Sequence, residues 1–256
     1  MNIDFKNKKV VIVGGSGRIG FQMVKDFSSL DANLLVLDIK PLKIKKDNIK
    51  FVKLKENKLE LLEKKIPKIL NAFGCPNIFI NSSYPRTVKW NFNDFKKINS
   101  KEISKNTELH QNSYMLWSIF IANMMKKNKI AGSIINLNSI YGLNGQNLSN
   151  YTNTNIKESP IYVTMKHGLS GLTKSMASYY GQYNIRVNSL CPGGVFNDAP
   201  SNKKELIFFK NYLRNSAIKR MCESKDISNA AMFLSSEYSK YITGVNLPID
   251  GGFSCI

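Results

Sequence analysis

Acidic residues are scarce in this chain: 18 Asp and Glu stand against 37 Lys and Arg, for a formal net charge of +19 over 256 residues. So basic a balance suits a polyanionic partner, but the marks of a nucleic-acid binder are missing as well. The eleven lysines from Lys40 to Lys68 are spread among hydrophobic residues and form no compact Arg-rich block. They read as a solvated surface whose field attracts an anionic cofactor or substrate, and no nucleic-acid partner is expected. Cysteine is sparse too. Cys75, Cys191, Cys222 and Cys255 lack paired or metal-ligand spacing, which excludes a disulfide framework and points to no metal site. A reduced, cytoplasmic protein is expected. Long apolar runs are absent: the greasiest stretch, Tyr114 to Met125, is interrupted by Ser118 and Asn123. It falls short of the roughly 20 residues a membrane helix needs. Met1 to Lys9 is polar and runs directly into a strand pattern, unlike a secretory signal. No linker or repeat divides the chain, and 43% hydrophobic residues suffice for the core of one domain spanning residues 1–256.

What is present is an alternation of short apolar runs with helical patterns. The runs 8–13, 33–37, 51–54, 77–80, 133–137, 185–190 and 245–249 read as strands, many of them β-branched as buried parallel strands are. Helical patterns fall at about 19–30, 59–73 (with Pro67 as a possible kink or break), 98–127, 160–180 and 226–235. Strand and helix in alternation specify an α/β fold: a doubly wound parallel sheet of Rossmann type, three layers, single domain. In such sheets ligands bind outside the carboxyl ends of the strands. The polar stretch 197–223 is expected to be a mobile substrate lid.

Two constellations carry chemistry. The turn Gly14-Gly15-Ser16-Gly17-Arg18-Ile19-Gly20 lies between the first strand and the first helix, where bare backbone amides can meet a pyrophosphate. Asp38, closing the second strand, is placed to accept from adenosine ribose hydroxyls, which favours NAD. Arg18 and Lys40 are placed to pair with a 2′-phosphate, which keeps NADP open. In the second constellation, Ser159 caps a helix with Pro160 at its first position, and Tyr162 and Lys166 share one face at i, i+4. A phenol with a pKa near ~10 is too weak a base at neutral pH. A neighbouring cation and the helix N-terminus would lower it, making Tyr162 a proton donor or acceptor for a carbonyl or alcohol oxygen.

These pieces, together with Asn81-Ser82-Ser83, Ser139, Ile185-Arg186-Val187-Asn188 leading to Pro192-Gly193, and Ile242-Thr243-Gly244 before Asp250-Gly251-Gly252, come in an order that resembles the short-chain dehydrogenase/reductase family over nearly the whole chain. The resemblance implies hydride transfer between a nicotinamide and a carbonyl or secondary alcohol. It makes Tyr162 the general acid/base and puts Ser139 on the substrate oxygen. Lys166 would lower the tyrosine pKa and hold the nicotinamide ribose. Gly14, Ser16, Gly17, Arg18, Ile19, Gly20, Asp38, Asn81 and Ser82 would line the cofactor, with the backbone of Pro192, Gly193 and Val195 facing the nicotinamide. It implies a homodimer or homotetramer, for which small residues Gly168, Ser170, Gly171 and Ser175 permit close helix packing.

The chain also departs from the family pattern. Arg18 stands at the middle-glycine position, and Lys53 and Lys55 replace an adenine-binding aspartate. His110 falls where the catalytic asparagine is expected, with Asn112 as the other candidate. The segment Asn81-Ser82-Ser83-Tyr84-Pro85-Arg86 and the long gap from Ser139 to Tyr162 are similar to the flagellin modification protein A subgroup, which implies a sugar or nucleotide-sugar substrate. Arg86 and Tyr84 are then candidate substrate contacts, Arg86 as a clamp for a phosphate or carboxylate. Two further readings stay open: a dinucleotide-binding sensor or scaffold without turnover, and a reductase of an unrelated small carbonyl compound.

Overall fold

The structure, a computed structural model, describes residues 3–54, 59–90, 93–154, 156–196, 200 and 202–255. Lys55 and, from the expected lid, residues 197–199 and 201 lie outside the described residues. Seven parallel strands form one sheet in the order β3-β2-β1-β4-β5-β6-β7. They are β1 (Lys9–Val13), β2 (Asn33–Asp38), β3 (Ile49–Lys53), β4 (Ile78–Asn81), β5 (Gly132–Leu137), β6 (Ile185–Pro192) and β7 (Asn246–Ile249). The helices are α1 (Arg18–Ser29), α2 (Leu59–Phe73), α3 (Ser100–Asn106), α4 (Ser113–Lys127), α5 (Pro160–Tyr180), α6 (Lys203–Arg214) and α7 (Ser224–Ser235).

The strands are apolar on both faces because both faces are covered. Val10 and Ile12 point into a core shared with Met23, Val24 and Phe27 of α1 and Ile227, Ala231 and Leu234 of α7. Val11 and Val13 point the other way, into a core with Leu62, Ile66 and Leu70 of α2, Trp117 and Ile121 of α4 and Met176 of α5. Each fully buried side chain of this size contributes about 1.5–3 kcal/mol. The strand order reverses direction between β1 and β4, and there the sheet opens a crevice at the carboxyl ends of its strands.

Three elements differ from the sequence expectation. Pro67 lies inside α2 without ending it: the buried face of Leu62, Ile66 and Leu70 holds the helix to the sheet, and packing outweighs the lost backbone bond. The long helix expected over 98–127 is instead α3, capped by Asn99, then a π-helical turn Thr107–Asn112, then α4. The polar stretch after β6 contains α6, capped by Asn202 and anchored by Phe208 and Tyr212 in a small core with Ile140, Met221 and Phe253.

Candidate active site

The glycine turn is shaped by close approach. Gly14 has φ of +84°, and a Cβ there would stand 2.5 Å from the Ser83 amide nitrogen. A Cβ on Gly20 would meet the Gly14 carbonyl oxygen and come within 2.6 Å of Ser82 Oγ. Glycine is therefore required at both positions. Ser82 uses its hydroxyl to donate to the Val13 carbonyl at 2.9 Å, so its side chain fastens β4 to the turn. α1 begins at Arg18 behind Gly17, with no side chain capping its first amides. Asp38 stands at the rim, its two carboxylate oxygens accepting from the Ser16 and Lys40 amides at 2.9 Å each. Ile19 packs into the α1 core. Asn81 is fully buried; its Oδ1 accepts from Ser83 N and Oγ, while its Nδ2 has no partner. A cradle that a Cβ would fill, an orphaned buried amide and a fixed carboxylate at the rim fit a dinucleotide, as the sequence predicts.

Ser139, Tyr162 and Lys166 converge on one spot. β5 ends at Leu137, and Ser139 follows in extended backbone, capping the 3-10 turn Ile140–Gly142. Across from it, Ser159 accepts from the Tyr162 amide at 3.4 Å and Pro160 occupies the first turn of α5, the local start that the sequence predicts. Lys166 is buried, donates to the Leu137 carbonyl at 3.0 Å and lies 5.7 Å from the centre of the Tyr162 ring.

The electrostatics correct one expectation. Burial pushes the Tyr162 phenol up to about 12, against the pull of a hydrogen bond with Ser139. Burial likewise brings Lys166 down to about 7, with Cys191 pulling weakly the other way. The Tyr162 pKa is thus raised, where a lowering was expected: burial is the largest influence on both groups and favours both neutral forms. A protonated phenol is the form a general acid needs, and an amine near 7 can give or take a proton at neutral pH.

His110 is fully buried in the π-helical turn, within reach of the Lys166 charge and the Pro85 backbone, and neither ring nitrogen makes a well-formed hydrogen bond. Burial first and the Lys166 charge second hold it well below the usual histidine range, against a smaller pull from the Pro85 backbone. Its ring stacks on Tyr114 at 5.1 Å and meets Tyr84 edge-on at 5.4 Å. Asn112, the alternative, instead lines an apolar groove between α2 and α4 with Met115 and Ile119. Tyr84, Trp90 and Tyr141 each meet the Tyr162 ring edge-on, at 6.0, 6.1 and 6.3 Å, and Arg86 lies over Tyr84 at 5.3 Å. Tyr151 donates to the Tyr141 hydroxyl at 2.9 Å. Pro192 ends β6, Gly193 donates to the Ile249 carbonyl, and the Val195 carbonyl accepts from Arg18. Trp90, Tyr141 and Tyr151 are absent from the sequence reading. They sit in loops without periodicity, and only their aromatic character marked them. Among the described residues no group of His, Cys, Asp and Glu could hold a metal, and no helix is long and apolar enough to cross a membrane.

A dinucleotide crevice beside a serine, a tyrosine and a lysine defines an NAD(P)-dependent oxidoreductase. The family model described as enoyl-(acyl carrier protein) reductase matches residues 16–254, and the chain belongs to that short-chain dehydrogenase/reductase family. It is 29% identical to the post-translational flagellin modification protein A of Campylobacter coli, over 97% of this chain and 98% of that protein. To a 3-oxoacyl-[acyl-carrier-protein] reductase of Chlamydia muridarum it is 27% identical, over 99% and 100%. Among solved structures, a short-chain dehydrogenase from Leptospira borgpetersenii with bound NAD+ superposes with a TM-score of 0.86 at 30% identity, covering 98% of this chain and 94% of that one.

The depressed Lys166 pKa has a thermodynamic consequence. The unfolded chain keeps that proton to about 10.4, whereas the folded chain releases it near 7. Between those values the unfolded state binds more protons, so stability rises with pH, and below pH 7 the penalty is constant. Wild type is expected to gain several degrees of melting temperature on Lys166→Met between about pH 7 and pH 10, read by differential scanning calorimetry. A gap that stays constant with pH overturns the buried-amine assignment.

Proposed function

We propose that this chain transfers a hydride between the nicotinamide of NAD and a secondary alcohol or carbonyl of a sugar or sugar derivative, with Ser139, Tyr162 and Lys166 as its catalytic residues. The observation that carries the reading is the meeting of the three side chains beside the glycine crevice. Gly14, Ser16, Gly17, Arg18, Ile19, Gly20, Asp38 and Asn81 would hold the cofactor, which supplies or takes up the hydride when bound. In the reducing direction Tyr162 gives its proton to the carbonyl oxygen as the hydride reaches the carbon, Ser139 donates a hydrogen bond to that oxygen, and Lys166 replenishes the phenol. Oxidation runs the same steps in reverse. Asp38, its carboxylate held at the rim by two backbone amides, supports NAD over NADP.

The substrate class rests on the walls. Tyr84, Trp90 and Tyr141 surround Tyr162 with rings, the surface against which the C–H face of a pyranose packs. Arg86 beside them suits a phosphate or carboxylate. The similarity to a flagellin modification protein points the same way. The four cysteines are free and suit a reducing compartment, which supports a cytoplasmic location. Self-association fits the α4–α5 side, where Met115 and Ile119 are 43% and 36% exposed and Gly171 opens onto free space. Two of the other small residues serve internal contacts: Gly168 packs on Gln111, and Ser170 donates to the Gly142 carbonyl.

The experiment is NADH formation from NAD with a panel of hexoses and nucleotide sugars. Tyr162→Phe keeps the ring contacts and removes the proton, so turnover is expected to fall about 10²–10⁴-fold while NADH binding, titrated by fluorescence, persists. Arg86→Ala should raise KM about tenfold for nucleotide sugars and leave neutral hexoses unaffected; an equal effect on both removes the clamp. NADH binding without turnover of any carbonyl or alcohol would favour the sensor reading.

His110, buried within range of the Lys166 charge and without a well-formed hydrogen bond, is proposed to pass protons to and from that amine. His110→Ala is then expected to lower kcat about tenfold or more at unchanged KM and to alter the pH dependence of kcat, with His110→Asn recovering most of the loss. Turnover unchanged across pH in His110→Ala removes this role.

A further inference from the structure

Arg18 stands where the family resemblance places a side-chain-free glycine, and its exposed side chain lies along the rim of the crevice with its guanidinium against the segment after β6. Its Nη1 donates to the Val195 carbonyl at 3.1 Å, and its Cζ lies 6.0 Å from the centre of the Phe196 ring. Both partners belong to the short segment from which α6 hangs. Val195 pairs with Cys222, the Cys222 amide donates to the Gly194 carbonyl, and the Phe196 amide donates to the Cys222 carbonyl. The Phe196 ring packs against Phe208 and Phe209 of α6 at 6.3 and 5.9 Å. From α6, Tyr212 accepts from the Gly194 amide at 2.8 Å. α6 in turn holds the loop after β5: Asn211 donates to the Thr152 carbonyl at 3.0 Å and Asn215 to Asn150 Oδ1 at 2.9 Å, next to Tyr151 and its bond to Tyr141.

From these contacts we infer that Arg18 is a positioning residue that fastens α6 and the substrate-side loop it carries to the dinucleotide turn, through the Val195 peptide and the Phe196 ring. The inference rests on the dinucleotide reading of that turn only for its functional consequence; the fastening itself is a property of the chain. A glycine at position 18 would leave the Val195 carbonyl without this donor and Phe196 without its cation. One side chain at the start of α1 thus sets the geometry of both halves of the crevice, and its loss acts on substrate KM as well as on cofactor affinity.

The test is amide hydrogen exchange of the 203–214 region in the full-length protein without added cofactor, paired with a fluorescence titration of NADH. Arg18→Gly is expected to speed exchange in α6 about three- to tenfold, the range for losing one charged hydrogen bond and one exposed cation–π contact. Arg18→Lys keeps a cation but not the planar fork, so α6 exchange is expected to rise as in Arg18→Gly. Phe196→Leu, which leaves the glycine turn untouched, should speed α6 exchange by about twofold and supports the inference even if Arg18→Gly folds poorly. Unchanged α6 exchange in Arg18→Gly, whether or not NADH affinity falls, overturns the inference, as does unchanged exchange in Phe196→Leu where Arg18→Gly cannot be made. Wild type that shows the exchange pattern but does not bind NADH would keep the fastening and overturn the dinucleotide reading.

Discussion

The removal of Tyr162 and Lys166 from water is the constraint on which the site depends. Both groups are ionisable, Lys166 is buried and Tyr162 half-buried, and in both the neutral form is favoured. The enclosure has identifiable sources: β5 supplies the Leu137 carbonyl that orients the amine, and the rings of Tyr84, Trp90 and Tyr141 close around the phenol. A lysine on an exposed helix face would stay charged at neutral pH and would exchange its proton with solvent. Buried, it has Tyr162, His110 and the thiol of Cys191 as its titratable neighbours. Burial pushes that thiol up to about 12, so Cys191 stays protonated and does not compete as a base or nucleophile.

That enclosure is possible only because the sheet splits its connections at the β1–β4 boundary. Helices α1 and α7 cover one face and α2, α4 and α5 the other, so the loops after β1 and β4 leave in opposite directions and leave a gap. The gap is held narrow by backbone-to-backbone approach, with Gly14 against Ser82 and Ser83. Ser82 ties the two strand ends by its hydroxyl, and Tyr114 reaches from α4 to the Ser83 carbonyl at 2.7 Å. The segment that follows therefore leaves β4 in a fixed direction. Thr87, bonded to Glu102 at 2.6 Å and to Asn106 at 3.0 Å, carries Tyr84 and Trp90 onto Tyr162.

Most of the fold was legible because its signals are local and repeated. All seven strands lie within two residues, at both ends, of the apolar runs that predict them, with β6 running on through Pro192. The Ser159-Pro160 start of α5 follows from capping chemistry alone. The Ser139, Tyr162 and Lys166 group was legible through order along the chain, since each follows a strand or opens a helix at the same end of a parallel sheet. What escaped was decided by tertiary contact. The π-helical turn at Thr107–Asn112 adds a residue to the ladder, and no propensity in Thr-Glu-Leu-His-Gln-Asn announces it. α6 is polar on most sides and has only Phe208 and Tyr212 buried, too short an apolar stripe to separate from a loop. The effect of Lys166 on Tyr162 was misjudged for a related reason: spacing shows that two groups are near, but the sign of a pKa shift depends on how much water remains around them.

The π-helical turn also explains how a histidine comes to lie beside the amine. α3, the turn and α4 follow one another without a break in helical backbone, and an uninterrupted α-helix would present its side chains at regular spacing. The wider turn changes the phase at His110 and lets the ring stack on Tyr114 while its edge faces Tyr84. Ser113 steadies the same turn by donating back to the Leu109 and His110 carbonyls at 2.6 and 3.0 Å. A buried polar ring without well-formed hydrogen bonds costs stability, roughly 1–3 kcal/mol for an unmet group, and a phenylalanine of similar shape would avoid that cost. The turn thus brings a buried imidazole within range of the Lys166 charge, which together with burial holds it in its neutral form.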